Sequence, residues 1–195
     1  MSKLIYGVAV NSRGKYKTTG PDGKRTKSYG TWKQMLGRAY CPKGHARYPT
    51  YAGCSVAEEW LEYQNFAEWF EAHEYSNRGY QLDKDLLIPG NKIYAPDRCV
   101  FVPSQLNNLL LDCGSARGQY KQGVYFHKGS NKFRANIRVN GRRKGLGYFD
   151  TEIEAYNAYK KAKEEHVKHM ANHWQDDIAD EVYDALMNWQ LEETP

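Results

Sequence analysis

The stretch Lys132-Phe133-Arg134-Ala135-Asn136-Ile137-Arg138-Val139-Asn140-Gly141-Arg142-Arg143-Lys144-Gly145-Leu146-Gly147-Tyr148-Phe149-Asp150-Thr151 decides how the C-terminal part of this 195-residue chain is read. Alternation with period two puts Phe133, Ala135, Ile137 and Val139 on one side of a strand and Lys132, Arg134, Asn136 and Arg138 on the other. Asn140-Gly141 is the pair that a two-residue hairpin favours, because both positions need a positive φ. A third strand over 142–149 runs into Asp150-Thr151, an N-cap signal with Glu152 and Glu154 in the turn that follows. Working outward, Gly123-Val124-Tyr125-Phe126 begins the first strand of the sheet, and a helix extends from Glu152 towards His166. Val167, Met170, Trp174, Ile178, Val182, Ala185 and Trp189 continue in steps of three and four. They predict one long or broken amphipathic helix that covers its own domain or pairs with another copy.

Charge is distributed in blocks that the net value of +5 conceals. Residues 118–150 hold eight Lys and Arg against Asp150 alone, while 151–195 hold four against eleven Asp and Glu. A basic block interleaved with Tyr125, Phe126, His127, Phe133 and Tyr148 is the footprint of a polyanion binder. A second basic stretch, Lys15, Lys17, Lys24, Arg25, Lys27 and Lys33 against Asp22, surrounds the turn Thr19-Gly20-Pro21-Asp22-Gly23-Lys24 and is placed to track a phosphate backbone.

The N-terminal part reads as mixed. Residues 5–10 alternate as a strand and turn at Ser12-Arg13-Gly14. Trp32, Met35, Leu36 and Tyr40 mark one face of a short helix. Ser55 with Glu58 reads as a capping box opening a helix that carries Ala57, Trp60, Ala67 and Phe70. Then come a strand at 80–85, a long loop through Pro89 and Pro96, a strand at 99–102, and a helix opened by Pro103-Ser104 and containing Asn107. Gly114-Ser115-Ala116-Arg117-Gly118 reads as a linker. The domains expected are 1–113, a linker at 114–122, a sheet-plus-helix domain at 123–166 and a helical extension at 167–195.

Composition excludes several classes. Mean hydropathy is −0.83 and no apolar run approaches the ~20 residues of a membrane span, so no membrane is expected as a partner. An aromatic content of 14% argues for packed cores rather than disorder. Cys41, Cys54, Cys99 and Cys113 form no C-x-x-C pair, which disfavours a zinc ribbon. Cys41 with His45, and His166, His169 and His173 on one helical face, are the remaining metal-like spacings, and both lack a completing ligand set.

The run Leu82-Asp83-Lys84-Asp85, Gly90-Asn91-Lys92, Tyr94, Pro96, Cys99, Phe101-Val102-Pro103 and Asn107 resembles the degenerate His-Asn-His (HNH-type) endonucleases of bacteriophages, many of them homing enzymes. Tyr29-x-x-Trp32-x-x-Met35-Leu36-x-Arg38-x-Tyr40, Pro49-Thr50-Tyr51 and Cys54-Ser55-Val56-x-x-x-Trp60 resemble the same group. The resemblance implies a strand-strand-helix unit holding one divalent metal, magnesium or manganese, with Asp83 and Asn107 as ligands. The family's catalytic His falls on Lys84, whose pKa would have to be strongly depressed for it to act as a base. Lys84 then serves electrostatically while Asp85, His45 or His73 acts as base, or the site is inactive.

Gly123-Val124, Lys132-Phe133-x-Ala135-x-Ile137, Gly145-Leu146-Gly147-x-Phe149-Asp150-Thr151, Glu154-Ala155 and Ala158-Tyr159 resemble the ethylene-response-factor DNA-binding domain of plants, which phage endonucleases also carry. That family lays its sheet in the major groove. The resemblance implies DNA contacts from Tyr125, His127, Lys132, Arg134, Asn136, Arg138, Arg142, Arg143 and Lys144, with Gly145 where the family has a Trp. The combined expectation is an α+β, phage-encoded, site-directed endonuclease of duplex DNA, cytoplasmic in a bacterial host, without a small-molecule substrate. A homodimer through the C-terminal helix is compatible with it. The alternatives are a non-catalytic duplex-DNA-binding protein derived from such an enzyme and an RNA-binding module.

Overall fold

The computed structural model describes residues 4–111 and 119–191. The chain is mixed helix and sheet and divides into two compact units, Met1–Ser104 and Gln105–Pro195. The expected linker at 114–118 and Cys113 lie outside the described residues.

The first unit opens with two helices, α1 (Lys27–Tyr40) and α2 (Pro42–Arg47). Strand β1 (Ser55–Val56), α3 (Tyr63–Ala72), β2 (Gln81–Asp83), β3 (Ile93–Tyr94) and β4 (Val100–Val102) follow. Its core is aromatic. Trp32, Trp60, Tyr63, Phe66, Phe70 and Phe101 are each at most 1% exposed, and their polar tips are satisfied as burial demands. The Trp32 indole N–H donates to the Trp60 carbonyl at 2.7 Å, and the Tyr63 hydroxyl to the Lys17 carbonyl at 3.0 Å. Helix α1 begins where Thr26 accepts the Tyr29 N–H, and it turns Trp32, Met35, Leu36 and Ala39 into this core.

Two local expectations fail here. Residues 5–10 form no strand: Tyr6 and Gly7 take positive φ values of 52° and 78°, so the chain turns and Ile5 meets Ala9 in a single bridge. Ser55 caps no helix. Its N–H donates to the Lys92 carbonyl and that of Ala57 to the Tyr94 carbonyl, because β1 pairs in parallel with β3. Residues Glu58–Leu61 make a single 3-10 turn, and α3 starts later, capped by the Glu62 carboxylate on the Gln64 N–H.

Helix α4 (Ser104–Leu110) begins at the division between the units. The rest of the second unit follows the sequence closely. Strands β5 (Val124–His127), β6 (Lys132–Val139) and β7 (Arg142–Phe149) form an antiparallel sheet in the order β5-β6-β7. Asn140 and Gly141 turn the β6–β7 hairpin with φ of 49° and 75°. Val124, Ala135 and Ile137 pack with Ala155, Tyr156 and Tyr159 of α5 (Glu152–His173). A Cβ at Gly123 would collide with the Tyr159 ring, so the chain enters the sheet there on a glycine. Thr151 and Glu154 form the reciprocal capping box, and the Glu152 carboxylate accepts the Lys121 N–H at 2.7 Å, so the last residues of the expected linker are docked.

The expected boundary at 166/167 falls inside α5, which continues to His173 before breaking. Helix α6 (Asp180–Met187) then packs back on α5. The Tyr183 hydroxyl donates to Asn172 at 2.9 Å, and the Leu191 N–H to Glu164 at 3.1 Å. Of the stripe on which the homodimer expectation rested, Val167, Ile178 and Val182 are buried within the chain, while Met170, Trp174, Ala185 and Trp189 are half-buried. No helix among the described residues is long and apolar enough to cross a membrane.

Candidate functional site

Strand register assigns each basic residue of the sheet to a face. Tyr125 pairs with Arg134 and His127 with Lys132; across the hairpin Arg134 pairs with Tyr148, Asn136 with Gly145 and Arg138 with Arg143. Directly paired residues share a face. Tyr125, His127, Lys132, Arg134, Asn136, Arg138 and Arg143 therefore stand together, opposite the face covered by α5. Arg142 and Lys144 pair with Val139 and Ile137 and belong to the other face.

This division is set by a bulge. Ala135 pairs with Gly147 but Asn136 with Gly145, leaving Leu146 as an extra residue on β7. Past it the alternation of β7 is reversed, which brings Arg143 rather than Lys144 onto the face of Arg134 and Arg138. Gly147, at φ 141°, supplies the backbone conformation that the irregularity requires.

The face is ordered by its own side chains. The Arg134 guanidinium lies over the Tyr148 ring at 5.1 Å, and Tyr148 meets His127 edge-on at 5.4 Å. A Cβ at Gly145 would come 3.1 Å from the Arg134 guanidinium, so the glycine leaves the slot in which Arg134 lies. Asn136 Oδ1 is buried with no hydrogen-bond partner among the described residues, a cost of about 1–3 kcal/mol for an acceptor left unsatisfied. Lys132 pairs with Asp150 at 3.0 Å in an exposed ion pair.

The first unit places its acids differently. Asp83 ends β2 opposite Val100 of β4. Its Oδ1 accepts the Asp85 and Leu86 N–H groups at 2.9 and 2.7 Å, a turn of the kind short acidic side chains form with backbone. Burial raises the Asp83 pKa, and the Asp85 charge beside it adds to the shift against those two hydrogen bonds. Lys84 is 6% exposed. Its ammonium donates to Asp85 and to the Asn91 carbonyl, both at 2.9 Å. Asn91 in turn donates to the Lys84 and Ile93 carbonyls at 2.6 and 2.8 Å. Lys84 and Asn91 thus close the loop between β2 and β3 on itself.

Arg38 and Asn91 belong to the motifs that carry the resemblance, which gives neither a role. Arg38 comes from α1. Burial works against its guanidinium, but Tyr94, Tyr51 and Asp83 outweigh that and hold its pKa above the ordinary value. The Cys99 thiol is pushed up to about 12, chiefly by burial with Asp83 and Asp85 adding to it, so it stays protonated. His45 Nε2 lies 2.8 Å from the Arg38 carbonyl and must carry the proton there. His73 packs between Trp69 and Phe101, with ring centroids at 5.1 and 4.9 Å.

Asn107 is on α4 and falls in the second unit; the resemblance alone joins it to Asp83. Among the described residues no three His, Cys, Asp or Glu side chains gather in a metal-holding group. No protein-family model, no curated protein and no solved structure matches the chain.

Proposed function

We propose that the chain is a site-directed, metal-dependent DNA endonuclease of the phage homing type, in which the second unit reads duplex DNA and the first hydrolyses it. The observation that carries the reading is the sheet face, where five basic or imidazole side chains stand in register with Tyr125 and Asn136. A sheet of this width enters the major groove, where Arg pairs with guanine and Asn with adenine.

Asp83 is a hard oxygen donor of the kind that magnesium or manganese takes. The raised pKa of Asp83, from burial and a second carboxylate, is the cost that a cation offsets. When bound, the metal supplies charge neutralisation at the scissile phosphate and the leaving oxygen. The protein's own part is to hold Asp83 through two backbone N–H groups and to keep Asp85 beside the Lys84 ammonium.

One observation favours a second reading, a non-catalytic DNA-binding protein. Lys84, where the resemblance implies the general base, donates two hydrogen bonds and has no lone pair to offer while it does so. The test is incubation of the purified protein with phage-genome DNA in magnesium, in manganese and in EDTA. Binding in all three with cleavage only in the metals is expected. Binding without cleavage in any of them leaves the second reading, and absence of binding removes both.

A further inference from the structure

A groove of about 470 Å³ lies in the first unit between α1 and the segment leading from the Ser76–Arg78 turn into β2. Along α1 its wall is made by Lys27, Thr31, Gln34 and Arg38, at steps of four, three and four, which form one stripe of a helix. The core residues Trp32, Met35, Leu36 and Ala39 occupy the neighbouring face. Arg25 also lines the groove, its guanidinium over the Tyr29 ring at 5.7 Å. The Lys27 ammonium reaches across to the Asn77 carbonyl at 2.6 Å and ties the two walls together. Gln81 lines the opposite wall, and Met35, Phe70 and Leu82 supply apolar lining. The lining includes three cations and no Asp or Glu.

The groove points at the acids described above. Arg38 lines it and feels the Asp83 charge as one of the groups that raise its pKa, while Gln81 and Leu82 of β2 lead directly to Asp83. Eleven helical steps separate Lys27 from Arg38, roughly 16 Å of α1 at 1.5 Å per residue. That length exceeds what one phosphate occupies, so the stripe can meet successive phosphates of a single strand. A small anion needs one cationic pocket. A row of cation, hydroxyl, amide and cation is what a sugar-phosphate strand contacts.

We infer that this groove binds one sugar-phosphate strand of duplex DNA and leads it past Arg38 to Asp83. The inference rests on the DNA reading above and adds a second contact surface, which joins Arg25 and Lys27 of the basic stretch at 15–33 to Gln34 and Arg38 further along α1.

The full-length protein carrying the photo-crosslinking residue p-benzoylphenylalanine in place of exposed Gln34 is irradiated with a labelled random-sequence duplex at low salt in EDTA, where cleavage plays no part. A parallel protein carries the same residue in place of Arg143. A crosslink from position 34 is expected. Its absence overturns the groove whatever position 143 does, and a crosslink to RNA but not to duplex DNA overturns it equally. A crosslink from 34 without one from 143 removes the sheet reading and leaves the groove standing. A second measurement is the salt dependence of binding. Arg25→Gln is expected to lower the slope of log K against log salt by about one, and Gln34→Glu to weaken binding several-fold with an unchanged melting temperature. Unchanged affinity and slope in both variants also overturn the proposal.

Discussion

The sheet face of the second unit and the β2 end of the first use the same residue types to opposite effect. On the sheet, Arg138 and Arg143 have no carboxylate partner among the described residues, and Arg134 lies over the Tyr148 ring in the space left at Gly145. At β2, Lys84 is buried and bonded to Asp85 and Asn91, and Asp83 is held by backbone. Exposed charges of one sign that are aligned by register suit a long polyanion, because each is available to a phosphate or a base edge. Buried charges that satisfy one another hold a loop in shape, and only the one left at a cost is open to chemistry. Asp83, whose pKa burial and Asp85 raise, is the one the proposed reading assigns to chemistry.

The largest expected effect tests that statement. Asp83→Asn keeps an oxygen for the two backbone N–H groups but removes the carboxylate that burial and Asp85 disfavour. Cleavage in magnesium is expected to fall by 10³-fold or more, DNA affinity to stay within twofold, and the melting temperature to rise by about 2–4 °C. A variant that cuts normally would reduce Asp83 to the turn it forms with the Asp85 and Leu86 N–H groups.

Lys84→Met comes next. It leaves the Asn91 carbonyl without its donor in a buried site, and a loss of about 1–3 kcal/mol in denaturant unfolding is expected. Wild-type stability with lost cleavage would instead place Lys84 in the chemistry.

The sheet yields a graded comparison. Arg134→Ala and Arg138→Ala are each expected to cost about 1–3 kcal/mol of affinity for the preferred duplex. Arg142→Ala and Lys144→Ala, on the other face, are expected to cost under about 0.5 kcal/mol, as charges acting on phosphate from a distance. Equal losses from both pairs in a binding titration would show that register does not decide the contact surface.

The smallest effect is on pH. Burial, with Lys163 and His169 adding to it, lowers the His166 pKa. The unfolded chain therefore binds its proton more readily, and stability is lost as pH falls from the ordinary value of 6.5 towards the lower folded one. His166→Gln is expected to flatten that part of the stability profile.

Much of the second unit was legible because its determinants are neighbours in sequence. Asn140-Gly141 turns the hairpin through its own backbone preferences, and Thr151 caps α5 through a residue three positions away. The period-two pattern of 132–139 identifies the covered face without knowledge of the cover. Ser55 carried an equally good local signal and misled, because Lys92 and Tyr94, nearly forty residues on, take its backbone into a parallel pair.

By itself, then, the sequence determined the α+β character, the three-stranded sheet with its capped helix, and the basic block that lies on it. Tertiary structure alone decided that a bulge at Leu146 puts Arg143 among the outward residues and Lys144 behind, and that Lys84 is a buried strut of its loop. It alone set Arg38 in the wall of a groove and within reach of the Asp83 charge. Turn and cap preferences arise from backbone sterics and hydrogen bonds within a few residues. A side chain's charge environment is assembled from elements far apart in the chain, and no local pattern encodes which of them meet.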